Sequence, residues 1–146
     1  MLIDRAIRNF FVNTIGFEVK KSDTLKCDKL FVSKISLGYD DKDIFYDVIL
    51  DESLLKELSL AMFMQEEIDE QIISDLNNEV ANLIIGNLKV LVSENLKERY
   101  DLELSTPKFL GEFKKEISKE YDKLYSYLIN DSYFAIGEVS YKKALA

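Results

Sequence analysis

Apolar positions along the chain switch between helical and strand-like spacing, and the switches divide it into elements. Leu2, Ile3, Ala6, Ile7, Phe10, Phe11 and Thr14 recur at helical intervals, which predicts an amphipathic helix over residues 2–15 with Gly16 as its stop. Residues 17–29 read as a short strand and a turn. From Phe31 to Tyr39 the pattern alternates: Phe31, Ser33, Ile35 and Leu37 face one way, with Lys34 and Ser36 opposite. Gly38 to Asp43 supplies turn residues, and Ile44 to Leu50 completes a hairpin. Asp51 is the predicted N-cap of a helix of about three turns carrying LLKELSLAMFM. A second helical pattern starts near Glu66 and runs toward Arg99, long enough that a bend or break is expected near Ile68 to Ile72. Leu102 and Leu104 read as a short strand ending before Pro107, and Glu112 to Tyr121 as a charged helical or loop segment. Leu124 to Ile129 and Tyr133 to Tyr141 flank Asn130-Asp131-Ser132 and read as a second hairpin. Its Tyr125, Tyr127, Tyr133, Phe134 and Tyr141 are read as sheet packing or a self-association edge. The expected fold is a single α+β domain over residues 1–146, with helices packed on one side of an antiparallel or mixed sheet around a long central helix.

Composition narrows the chemistry. The 146 residues are 47% hydrophobic and 32% charged, which suits a globular domain with a real core. The absence of histidine excludes Ser–His and Cys–His nucleophilic catalysis and a His-bearing zinc site within the chain. Cys27 is the single thiol, so no internal disulfide exists, which fits a reducing compartment. It lies in the polar run KSDTLKCDK with no base in evidence, so a reactive role is not assigned to it. A net charge of −8 argues against nucleic-acid or anionic-membrane binding. Asp4, Arg5 and Arg8 rule out a secretory signal in the first residues, and no apolar run approaches the roughly 20 residues of a membrane span. A cytoplasmic protein is expected. Glu66, Glu67, Asp69 and Glu70 are read as a solvated, dipole-favoured helix start and not as a metal or catalytic cluster.

The long helix carries the distinctive pattern. On a wheel turning about 100° per residue, Asp75, Asn78, Glu79, Asn82, Gly86, Lys89 and Ser93 gather within an arc of roughly 100°. Ile73, Leu76, Val80, Leu83, Ile84, Leu88, Val90 and Leu91 fill much of the remainder. A helix that merely meets solvent usually carries long Lys and Glu side chains in pairs. This strip has short amides and a glycine, which leave the backbone accessible. Taken alone, Glu79 and Asn82 are equally readable as solvated residues, with Gly86 allowing close helix packing.

SDLNNEVANLIIGNLKVLV, Ser74 to Val92, resembles the signature helix of the CheC/CheX/FliY phosphatases of bacterial chemotaxis, through Asp75, Glu79, Asn82, Gly86 and Asn87. The strand and proline of LELSTPKFLG, Leu102 to Gly111, and the segment DIFYDVILDESLLKELSLAMF also look like that family. Setting Gly16 against Gly86 places Asn9 opposite Glu79 and Val12 opposite Asn82, so the first helix lacks the pair and the chain resembles the single-site CheX branch. Asn78, where a small residue is common, and the charged segment Phe113 to Tyr121 depart from the pattern.

The resemblance implies a pseudosymmetric fold, and an activity that hydrolyses the aspartyl phosphate of a CheY-type response regulator. Glu79 and Asn82 would be the catalytic pair, and Asp75, Asn78, Gly86 and Lys89 would touch the partner. No cofactor of its own is expected, since Mg²⁺ belongs to the regulator. A homodimer formed by sheet extension is also implied. The rival on the same fold is a non-catalytic binding module of the flagellar-switch kind. A chance motif in an unrelated α+β domain is the other.

Overall fold

The computed structural model describes residues 1–23, 29–95, 101–113 and 121–142. Cys27, Arg99 and most of the charged segment 112–121 lie outside them. The described elements are helix α1 (Leu2–Arg8) running into a π-helical turn (Asn9–Ile15), strands β1 (Val19–Lys21), β2 (Leu30–Gly38) and β3 (Lys42–Asp51), helices α2 (Glu52–Phe63) and α3 (Glu70–Asn95), and strands β4 (Glu103–Leu104), β5 (Lys108–Glu112), β6 (Lys123–Ile129) and β7 (Ser132–Lys142). The strands form one sheet in the order β1-β6-β7-β3-β2, with β4 and β5 in succession along the outer side of β2, and every pairing is antiparallel. Among the described residues no helix is long and apolar enough to cross a membrane.

Local chemistry sets the boundaries. Gly16 adopts φ +90°, a region closed to most side chains, and its N–H and that of Phe17 both donate to the Phe11 carbonyl, at 2.9 and 2.7 Å. Asp51 caps α2 by accepting from the Ser53 N–H at 3.0 Å. Asn130 and Asp131 take φ 47° and 69°, the paired positive values of a type I′ turn, and so close the β6–β7 hairpin tightly. Asn130 also ties down β1: its N–H donates to the Glu18 carbonyl and its Oδ1 accepts from the Glu18 N–H.

Helices α1, α2 and α3 cover one face of the sheet. Ile3, Ala6 and Ile7 of α1, Leu54, Leu55 and Leu58 of α2, and Val80, Ile84, Ile85 and Leu88 of α3 pack with Ile35, Leu37, Tyr46, Val48, Leu50, Phe134 and Ile136. The opposite face carries a smaller core of Leu30, Val32, Ile49, Tyr133 and Ala135 beneath Phe113 and Tyr121. Tyr121 lies over Gly137 so closely that a Cβ there would sit 2.5 Å from the ring. Its hydroxyl donates to Asp47 Oδ2 at 2.6 Å, and Lys34 Nζ stands 3.7 Å from Asp47 Oδ1.

Three expectations are corrected. The second helix begins at Glu70, about four residues later than expected, and the bend or break expected near Ile68 to Ile72 is a break that ends there. Met64 ends α2 in a left-handed conformation, and Asp69 caps α3 by accepting from the Ile72 N–H at 2.8 Å. Leu83 and Val90, grouped with the apolar side, are 39% and 51% exposed, because both fall next to Glu79 on the wheel. β5 was not anticipated: it resumes pairing with β2 immediately after Pro107.

Candidate functional site

The strip of α3 forms one wall of an open groove of about 550 Å³. Asp75, Asn78, Glu79 and Asn82 line it from the helix, and Leu104, Ser105, Thr106 and Pro107 line it from the strand edge. Glu79 is exposed and Asn82 half-buried. Neither side chain is engaged by a hydrogen bond or ion pair among the described residues, so both functional groups are available to something outside. Asp75 is exposed and accepts from Gln71 Nε2 at 2.9 Å. Gly86 and Lys89 lie further along the helix and do not line the groove. Gly86 instead faces Leu104, whose Cδ2 would be 3.7 Å from an added Cβ.

The second wall was not anticipated: Pro107 was expected as a strand end and as part of the family resemblance, not as a lining of the groove. Its shape follows from a break in pairing. Leu37 pairs with Leu104 and Lys34 with Lys108, so Thr106 and Pro107 together stand opposite Ile35, as in a β-bulge. Pro107 has no N–H to offer the ladder. Ser105 compensates: its N–H donates to the Ser36 carbonyl at 2.9 Å, and its Oγ accepts from the Ser36 N–H at 2.7 Å. A side-chain oxygen thus replaces a backbone carbonyl, and the chain swells toward α3. The run Ser-Thr-Pro between two short apolar stretches was the available signal.

Beneath the groove lies a polar contact that the sequence reading also missed. Asn77 and Ser33 are fully buried. Asn77 Nδ2 donates to Ser33 Oγ, which donates in turn to Asn78 Oδ1, both at 2.7 Å. Asn78 is therefore tied to the centre of the sheet as well as lining the groove. Asn77 Oδ1 has no hydrogen-bond donor among the described residues, a defect worth about 1–3 kcal/mol when buried. The signal was a polar residue on the apolar side of each element: Ser33 between Phe31 and Ile35, and Asn77 about 160° from Glu79 on the wheel.

On the π-helical turn that continues α1, Asn9 Nδ2 donates to Asn87 Oδ1, and Asn13 Nδ2 to Asn9 Oδ1, both at 2.9 Å. The amide opposite Glu79 in the glycine alignment is thus engaged in joining α1 to α3, and Val12, opposite Asn82, is 41% exposed.

A family model described as chemotaxis phosphatase CheX matches residues 39–129, which holds the groove's α3 residues and both bulge residues. The chain belongs to the CheX family. A comparison with curated proteins returned no match. Solved structures of the CheX and CheC-like fold are similar over nearly the whole chain. The chemotaxis protein CheX from Vibrio vulnificus superposes with a TM-score of 0.75 at 14% identity, covering 95% of this chain and 93% of that one. A CheC-like chemotactic protein from Shewanella oneidensis gives 0.66 at 13% identity, covering 96% and 95%. A structure described as the CheX-CheY-BeF3-Mg+2 complex from Borrelia burgdorferi gives 0.68 at 12% identity, covering 95% and 92%. Those superpositions show the CheX and CheC-like α+β fold.

Proposed function

We propose that this chain accelerates hydrolysis of the aspartyl phosphate on a CheY-type response regulator. The observation that carries the reading is the pairing of an unengaged carboxylate and an unengaged amide on one wall of an open groove, in a chain of the CheX family. That a CheX relative is described in complex with CheY supports a regulator of that class as the partner.

In the reaction, water oxygen attacks phosphorus and the bond from phosphorus to the aspartyl oxygen breaks. Inorganic phosphate and a free aspartate result. Positioning the water is the main task left to the phosphatase. Asn82 suits it, since its amide accepts from and donates to one water and adds no charge that would repel the phosphoryl oxygens. Glu79 suits a different task, an ion pair with the cationic side chain beside the regulator's phosphoryl group, which steadies the docked helix. Mg²⁺ belongs to the regulator, where it offsets charge on the phosphoryl oxygens.

The test follows phosphate release from a phosphorylated regulator with this protein present substoichiometrically. Turnover is expected, whereas a simple binding module gives none. Asn82→Ala lowers turnover roughly 100-fold with binding retained. Glu79→Ala removes a charge-assisted contact worth about 1.5–3 kcal/mol, roughly 10- to 100-fold in kcat/KM. Wild-type rates in either variant would defeat the assignment of roles. The same reading includes a homodimer by sheet extension. β1 covers β6 only at Tyr127 to Ile129, which leaves the outer side of Lys123 to Tyr125 open among the described strands.

A further inference from the structure

We propose that Ser33, Asn77 and Asn78 form a latch that fixes the rotation of α3 about its own axis, and with it the direction in which Asn82 faces the groove. The inference rests on the phosphatase reading above and assigns these three as positioning residues. Apart from a longer contact of 3.4 Å from Asn77 Nδ2 to the Val48 carbonyl, the rest of the contact between α3 and the sheet among the described residues is aliphatic and aromatic. Such contact is strong but non-directional, so it tolerates small rotations of a helix. Hydrogen bonds at 2.7 Å do not. Ser33 Oγ sits at the middle of β2, accepting from Asn77 and donating to Asn78, and so holds two successive residues of one helical turn.

The lever is short. Asn82 is five residues beyond Asn77, about 7 Å along the axis. With side-chain ends about 6 Å from that axis, a 20° rotation displaces the amide by roughly 2 Å. A misplacement of about 1 Å at a reacting centre is enough to lower a rate 100-fold. Asn77 also keeps a buried oxygen with no donor, which an aliphatic side chain would avoid. The latch accounts for a polar residue being there at all. It gives Asn78 a role too: its Oδ1 is committed inward, leaving its Nδ2 as the part that can face a partner.

Two variants test this. Ser33→Ala removes both short hydrogen bonds at once, and Ser33→Ala/Asn77→Leu replaces the buried pair by apolar groups, so that no buried amide is stranded. Each is assayed for regulator dephosphorylation, and for amide hydrogen exchange across Asn78 to Ile85. The expected result is a folded protein whose kcat falls at least tenfold, with KM for the phosphorylated regulator within threefold of wild type, and with exchange in that stretch at least tenfold faster. A purely structural contact would lower thermal stability without splitting kcat from KM. Turnover within twofold of wild type in either folded variant, or a rise in KM with kcat unchanged, overturns the proposal. If the wild-type protein itself does not accelerate phosphate release, the phosphatase reading falls. The exchange measurement then decides the latch alone, and unchanged exchange overturns it.

Discussion

Replacing Gly86 by alanine should stabilise the protein, and the size of the effect can be worked out from the helix. Gly86 lies inside α3, far from either end, and is not among the residues with positive φ. Glycine in a helix interior is about 0.8–1 kcal/mol less favourable than alanine. The added methyl meets nothing closer than Leu104 Cδ2 at 3.7 Å, an ordinary contact, so no steric term opposes the gain. An unfolding entropy of about 2.1 cal/mol/K per residue gives roughly 0.3 kcal/mol/K for a chain of this length, so 1 kcal/mol corresponds to roughly 3 °C in Tm. Scanning calorimetry of Gly86→Ala should show that rise, with a matching shift of the urea midpoint. A fall in Tm would refute the argument, because it would mean that the backbone there is not the plain helix described. Dephosphorylation kinetics on the same variant separate two uses of the glycine. If a partner backbone approaches this turn, kcat/KM falls while Tm rises. If kcat/KM holds, Gly86 is not part of the docking surface.

The other predictions draw on different parts of the molecule. Gly137→Ala drives the Tyr121 ring off the sheet and removes its hydrogen bond to the buried Asp47, a loss of about 2–4 kcal/mol visible as a lower urea midpoint; an unchanged midpoint would show that the ring does not lie on Gly137. Burial pushes the Asp4 carboxyl up, but hydrogen bonds from Tyr127 and Arg8 and the Arg8 charge outweigh it, so it titrates below its ordinary value. A depressed carboxylate contributes stability above its unfolded pKa, near 4, and loses it as pH falls through the lower folded value. The stability gap between wild type and Asp4→Asn, measured by urea titration, should therefore be level from about pH 5 to 7 and close below about pH 4. A gap that widens with acid contradicts this. Leu124→Pro on the open side of β6 should shift any dimer seen by sedimentation toward monomer; an unaltered dimer places the interface elsewhere.

Much of this structure could be read from the chain because single residues impose strong local rules. Asp51 as a cap, Gly16 as a stop and the Asn-Asp turn each act within a few residues, and all three are found as expected. The strip on α3 was legible for the same reason, since helical geometry alone puts Asp75, Asn78, Glu79 and Asn82 on one side. The break between α2 and α3 was placed to within a few residues, but its cause was not legible. Residues 64–69 carry apolar and acidic residues that suit a helix, and it is Met64, not a glycine or proline, that turns left-handed. β5 escaped because its pairing with β2 is interrupted at Pro107 and restored by a serine side chain, which leaves no continuous alternation to detect. The Ser33–Asn77 contact joins residues 44 apart, and each looks like a minor blemish in its own element. Only the packing of α3 on β2 brings the two together.

The way the N-terminal segment is held bears on the order in which the chain can assemble during synthesis. Asp4 is bonded by Tyr127, Glu18 by Asn130, and among the described strands β1 pairs with β6 alone. Residues 4–21 thus acquire these partners only after residues 127–130 have been made. Until then Ile3, Ala6, Ile7 and Phe10 present an uncovered apolar stripe, first toward α3 and last toward the closing hairpin. A nascent chain stalled before residue 127 would carry β1 with no strand beside it, and the interval before its release is when that stripe is most open to chaperones or to other copies.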